Sequence, residues 1–240
     1  MPPEPPFHLF GPAHLTVIGF TVALPLFFWA TARGPGREGY RVAVRYSLAF
    51  VLLANWIAYE VFLRWIGQFK PVDLLPMQLC DWATIAVIAA LVTCRYGVYE
   101  IAYFWGMAGT LQAILTPNLP VGFPSVRFIS FFVSHSGIVI GVMFLTLVER
   151  MRPRGWSVFR AMVWTEVYYV VATVVNGMTG LNFGFLNHPP AGKSLLDYLS
   201  SNHTLYILEF NLLAIVFYLV LYLPFWARDL VRKRLPAEAS

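Results

Sequence analysis

Long apolar runs alternate with short polar turns along almost the whole chain. Seven runs reach or approach the roughly 20 apolar residues that a helix needs to cross a hydrocarbon core. They are Ala13–Thr31, Val42–Leu63, Leu74–Thr93, Gly97–Leu115, Phe128–Val148, Val158–Met178 and Leu205–Trp226. None shows the alternating period of a barrel strand. Backbone polar groups in lipid must be paired within an element or around a closed barrel, so helix is the remaining choice. The pattern predicts an all-α fold: a polytopic membrane bundle of seven transmembrane helices, forming a single domain over residues 1–240. The first run lacks a basic start and is read as a retained helix rather than a cleaved signal.

Composition agrees. The chain is 58% hydrophobic and 12% charged, against about 25% charged for a soluble domain. Its net charge of +5 is a topology signal. Assigning the loops alternately to two sides puts 13 of the 17 Lys and Arg on one side, among them Arg33, Arg41, Arg45, Arg150 and Arg160. The other side receives only Arg64, Lys70, Arg127 and Lys193. Basic loops stay cytoplasmic, so the N-terminus is expected outside and the C-terminus inside. The arginines flank helices and form no patch interleaved with exposed aromatics, so no nucleic-acid partner is expected. The bilayer is the partner, and no metal or other cofactor is implied.

Polar side chains inside spans are costly and tend to face a bundle interior. On the presumptive outer half lie His14, Glu60, Gln78, Cys80, Asp81, Gln112, His135, Asn176, His203 and Glu209. This predicts a polar pocket open to the outer leaflet. Cys80 and His135 sit at matched depth, seven and eight residues in from Asp73 and Arg127, or about 10–12 Å. Cys94 lies 14 residues beyond Cys80 on the same helix. That is about 21 Å, too far for a disulfide.

A thiol beside an imidazole can be deprotonated and attack an ester carbonyl, giving a thioester acyl-enzyme. A lysolipid hydroxyl as second acceptor would make the protein a transacylase; water would make it a lipid acyl hydrolase. Gln78, Asn176 or Asn182 could hold the oxyanion, and Asp81 or Glu60 could orient the imidazole. The plainer readings are packing for Cys80, interhelical hydrogen bonding for His135, and boundary roles for His14, His188 and His203. Glu209 reads as a hydrogen-bonded or protonated bundle residue. A transporter or lipid-binding protein without bond breaking is the competing function. HExxH, G-x-S-x-G and P-loop signatures are absent from the sequence, and the last run has no lysine for a Schiff base.

Three segments carry a family resemblance: His8-Leu-Phe-Gly-Pro-Ala-His14, Leu75-Pro-Met-Gln-Leu-Cys80-Asp81, and Leu181-Asn-Phe-Gly-Phe-Leu-Asn-His-Pro189 followed by Ser194-Leu-Leu-Asp197. The chain resembles the YwaF-type bacterial membrane proteins, whose animal relative is the transmembrane protein 164 phospholipid acyltransferase. The resemblance implies a cysteine nucleophile and histidine partner at Cys80 and His135. It also implies a phospholipid or lysophospholipid substrate and a place in the bacterial plasma membrane. The bacterial pattern often has His two residues before the cysteine and Lys before the loop proline; here Gln78 and His188 stand there.

Overall fold

A computed structural model describes residues 4–192 and 194–234, so Lys193, one of the outer-side cations of the topology argument, lies outside the described residues. Among the described residues the fold is all-α, with seven α-helices and no strand. The helices are α1 (Pro12–Thr31), α2 (Glu38–Trp65), α3 (Leu79–Thr93), α4 (Tyr96–Leu115), α5 (Val126–Leu147), α6 (Ser157–Thr179) and α7 (His203–Arg234). Five of them, α1, α2, α5, α6 and α7, are long and apolar enough to cross a membrane.

Of the other two, α3 is short, and α4 is polar for a physical reason: it lies inside the bundle. α4 packs against α3, α5, α6 and α7, and Tyr99, Ala102 and Phe104 on it are fully buried. A helix enclosed by protein need not present an apolar surface to lipid. It can carry Glu100, which is 2% exposed. Arg160 on α6 grips both carboxylate oxygens at 2.9 and 2.7 Å, and the Ser157 hydroxyl donates at 2.6 Å. Nearer the middle, Trp105 donates to Thr165 at 2.9 Å, and Thr165 meets the Tyr218 hydroxyl at 2.8 Å. That chain of polar contacts ties α4 to α6 and α7.

α5 packs against α2 and α3 through glycines. A Cβ on Gly137 would lie 2.8 Å from Leu52 of α2, and one on Gly141 would lie 2.8 Å from Val87 of α3. The small-xxx-small spacing therefore lets both helices approach α5 closely. α3 and α5 are neighbours, a relationship that sequence depth alone left open.

The start of α3 differs from the sequence expectation. Pro71–Leu74 form one 3-10 turn, and the helix begins only at Leu79. Pro76 disfavours helical backbone at Leu75 and cannot donate to the ladder. The helix instead starts after Gln78, whose extended backbone N–H donates to the Asp81 carboxylate at 2.9 Å. This is the N3-to-N-cap half of a capping box. Cys80 is thus the second residue of α3 rather than deep within a longer helix. With 15 residues, α3 spans about 22 Å, short of the roughly 30 Å of a hydrocarbon core.

α7 runs on to Arg234, past the expected end at Trp226, and it passes through Pro224. Proline disturbs the carbonyls of the preceding turn. One of them, Leu221, accepts the Tyr103 hydroxyl of α4 at 3.0 Å, the kind of neighbouring-helix partner that makes a buried proline tolerable.

Candidate functional site

An open cavity of about 960 Å³ lies where the end of α2, the start of α3, the start of α5 and the loop after α6 converge. That is at the upper end of the ordinary size range for ligand sites. Glu60, Gln78, Asp81, Thr84 and His135 line it, with Lys70 and Arg127 also in its wall.

His135 is fixed in place. Its Nδ1 lies 2.7 Å from the Phe131 carbonyl, and its ring stacks on Phe131 with centroids 4.0 Å apart. A carbonyl oxygen can only accept, so Nδ1 carries the proton and Nε2 keeps its lone pair. An imidazole in this tautomer is ready to act as a base.

Gln78 is fixed in the same way. Its Oε1 accepts the Gly184 backbone N–H at 3.1 Å, which leaves its NH2 group as donor. Asp81 is engaged by the Gln78 backbone, and Glu60 pairs with Arg64 at 3.7 Å. The first turn of α3, with its unsatisfied N–H groups and positive dipole end, therefore forms one wall.

Cys80 is half-buried on that same turn, but its thiol does not line the cavity. The Thr110 hydroxyl of α4 is close to it. Thr110 is fully buried, and its hydroxyl makes no well-formed hydrogen bond among the described residues. Thr84, one turn further on, does line the cavity, and its hydroxyl donates to the Cys80 carbonyl at 2.8 Å. The thiol and the imidazole thus lie on adjoining helices, with the thiol turned toward α4.

The remaining sequence candidates lie elsewhere and hold the fold. His14 is 1% exposed. It accepts the Phe10 N–H at Nδ1 (3.0 Å) and reaches the Ile114 carbonyl through Nε2 (2.7 Å). Nε2 ties α1 to α4, and Nδ1 holds the turn that precedes α1. Asn176 is equally committed: its amide donates to the Phe183 carbonyl at 3.0 Å and accepts the Phe183 N–H at 2.7 Å. Asn182 donates to the His188 carbonyl at 2.8 Å, and His188 is exposed in that loop. Glu209 accepts the Ser200 N–H at 2.6 Å, pinning the loop before α7.

Two residues escaped the sequence reading. Thr110 has only one signal, a hydroxyl five residues from the end of an otherwise tightly packed helix. Tyr168 has none. Its hydroxyl donates to the Met77 carbonyl at 3.0 Å, inside the break before α3, and it stands close enough to Gly184 that a Cβ there would lie 2.4 Å away. Two of the three segments singled out in the sequence are therefore not independent. Leu75–Asp81 and Leu181–Pro189 meet through Gln78, Gly184 and Tyr168.

A multi-helix membrane protein with a polar cavity at one end is the class that these features define. The chain matches the TMEM164 family over residues 9–222. It belongs to that family. No curated protein and no solved structure matches it.

Proposed function

We propose that this chain is a membrane-embedded enzyme that transfers or hydrolyses acyl groups of phospholipids or lysophospholipids. Cys80 is the nucleophile and His135 its base and acid. The observation that carries the reading is His135 itself: a cavity-lining imidazole whose tautomer leaves Nε2 free, one helix away from a thiol on the first turn of α3.

In this reaction, rotation about the Cys80 Cα–Cβ bond turns the sulfur from Thr110 toward the cavity. Nε2 takes the thiol proton, and the thiolate adds to the ester carbonyl. The Gln78 NH2 and the α3 N-terminus face the oxyanion, where fixed donors lower the barrier most. The C–O bond breaks, and the imidazolium returns its proton to the departing alkoxide. An acceptor hydroxyl then gives its proton to Nε2, attacks the thioester and releases the thiolate. We further propose that all seven helices cross a bacterial plasma membrane, with α3 and α4 sheltered by the other five and the N-terminus outside.

A second reading follows from one observation: the thiol does not line the cavity. In it, the cavity binds or passes a lipid without covalent chemistry. Labelling separates the two. In a Cys94→Ser background Cys80 is the sole thiol, and a lipid-like acyl electrophile should label it. His135→Ala should slow labelling by about 10²- to 10⁴-fold, the usual contribution of a general base. Labelling indifferent to His135, or transport that survives Cys80→Ala, favours the binding reading.

A further inference from the structure

A second cavity, of about 590 Å³, opens at the other end of the bundle. The end of α1 supplies Trp29 and Arg33, the start of α2 supplies Arg41, and the stretch closing α5 supplies Glu149 and Arg150. α5 begins beside the first cavity and ends beside this one. Its 22 residues separate the two by about 33 Å, the thickness of a hydrocarbon core.

The charges here converge and are left largely uncompensated. Glu149, the one carboxylate in the wall, lies 3.7 Å from Arg45, and both side chains are mostly buried. Arg41 has only Glu38, at 3.9 Å and 87% exposed, a pair too solvated to hold it. The Arg33 guanidinium carbon sits over the Trp29 ring, 3.1 Å from its centroid. That stacking occupies the guanidinium face and leaves its N–H edge free. Arg150 makes no hydrogen bond or ion pair among the described residues, and its backbone has φ +56°. A residue with a side chain avoids that conformation unless its surroundings impose it.

Arginines at helix ends also fix orientation in the membrane. That task needs positive charge on one side and nothing more; Arg37 meets it at the same end without entering the cavity. Three arginines from three elements around one cavity, one stacked on an aromatic ring and one in a costly backbone conformation, exceed that need.

We infer that this cavity binds a phosphate-bearing anion. The planar guanidinium fork matches two oxygens of a phosphate, and a stacked, pre-oriented Arg33 loses little freedom on binding. The phosphate comes from one of two sources: the headgroup of an anionic lipid in the adjoining leaflet, or a soluble phosphate compound. This inference is independent of the proposed chemistry at the opposite end.

The test uses full-length protein in neutral detergent, with thermal melting followed on adding phosphatidylglycerol, phosphatidylcholine, inorganic phosphate, or chloride at matched ionic strength. Phosphatidylglycerol should raise the melting temperature more than phosphatidylcholine. Arg33→Gln with Arg150→Gln should weaken that response by about fivefold per arginine removed. Arg37→Gln, with the same loss of charge at the same end, should leave it intact. A response to inorganic phosphate as well identifies the phosphate group itself as the ligand; a response to the lipid alone identifies a headgroup site. Arg150→Gly, which relieves the backbone and removes the side chain, should melt no lower without ligand and still lose the response. No response to either source, or an equal loss in Arg37→Gln, overturns the inference.

Discussion

The Gly184 backbone N–H donates to the Gln78 side-chain oxygen at 3.1 Å. Through this bond, the loop after α6 sets the orientation of an amide in the cavity wall. Gly184 has φ +66°, and a Cβ there would lie 2.4 Å from the Tyr168 hydroxyl. Gly184→Ala is therefore both strained and obstructed. It should destabilise the protein by about 1–3 kcal/mol, read as a drop in melting temperature. Acyl labelling of Cys80 should fall as well, because Gln78 loses its anchor.

The contact between α5 and α3 rests on Gly141, and this can be tested against a glycine that touches nothing. Gly141→Ala places a methyl 2.8 Å from Val87 and should cost about 1–3 kcal/mol through overpacking. Gly177 on α6 has open space around its missing Cβ. Gly177→Ala should be neutral or stabilise by up to about 1 kcal/mol. Thermal denaturation of the two variants in one detergent decides the matter; equal effects would remove the special status of Gly141.

Glu100 is held by a half-exposed arginine and a buried serine. Removing the cation by Arg160→Met leaves a buried carboxylate with only the Ser157 hydroxyl. The expected loss is about 2 kcal/mol, reduced from the fully buried case because Arg160 faces solvent on one side. Glu100→Gln, which keeps a polar partner for both neighbours without the charge, should cost less. Denaturant midpoints of the two variants give the order.

Gln78→Leu keeps the Gln78 N–H that the Asp81 carboxylate accepts, but it orphans the Gly184 N–H, at a cost of about 1–3 kcal/mol. If the amide faces an oxyanion, acyl transfer should fall by about 10²- to 10³-fold, well below the rate of Gly184→Ala, which disturbs the same bond but keeps the amide. An unaltered rate would remove Gln78 from the proposed mechanism.

Tyr168→Phe removes the hydroxyl that the Met77 carbonyl accepts. An orphaned buried carbonyl costs about 1–3 kcal/mol. The start of α3 should loosen, which backbone hydrogen exchange over Leu75–Cys80 would report as faster exchange.

The seven helices were legible because each is a long apolar run, a local property of the chain. Their ends were less so: α7 runs eight residues past Trp226. The start of α3 was expected at Leu74, whereas it is set by Gln78 and Asp81, a cap whose spacing was present in the sequence. The site was legible by depth and illegible by direction. His14, Asn176 and Glu209 stand at the same end as His135, and from depth alone all four belong to one pocket. Which way each side chain turns depends on partners from distant segments: Ile114 for His14, Phe183 for Asn176, Ser200 for Glu209. Cys80 turned toward Thr110 is another case, since nothing within its own helix foretells that neighbour.

The gap in helical structure before α3 has a chemical corollary. Its backbone groups are satisfied largely from within the protein: the Tyr168 hydroxyl takes the Met77 carbonyl, the Asp81 carboxylate takes the Gln78 N–H, and the Met77 N–H turns back to the Leu75 carbonyl at 2.8 Å. The interruption therefore does not depend on solvent to stay open. Once a lipid fills the hollow beside it, an acylated sulfur there would be sheltered, and a second lipid alcohol would compete with few water molecules for the acyl group. In the proposed reaction, this favours exchange of chains between lipids over release of free fatty acid.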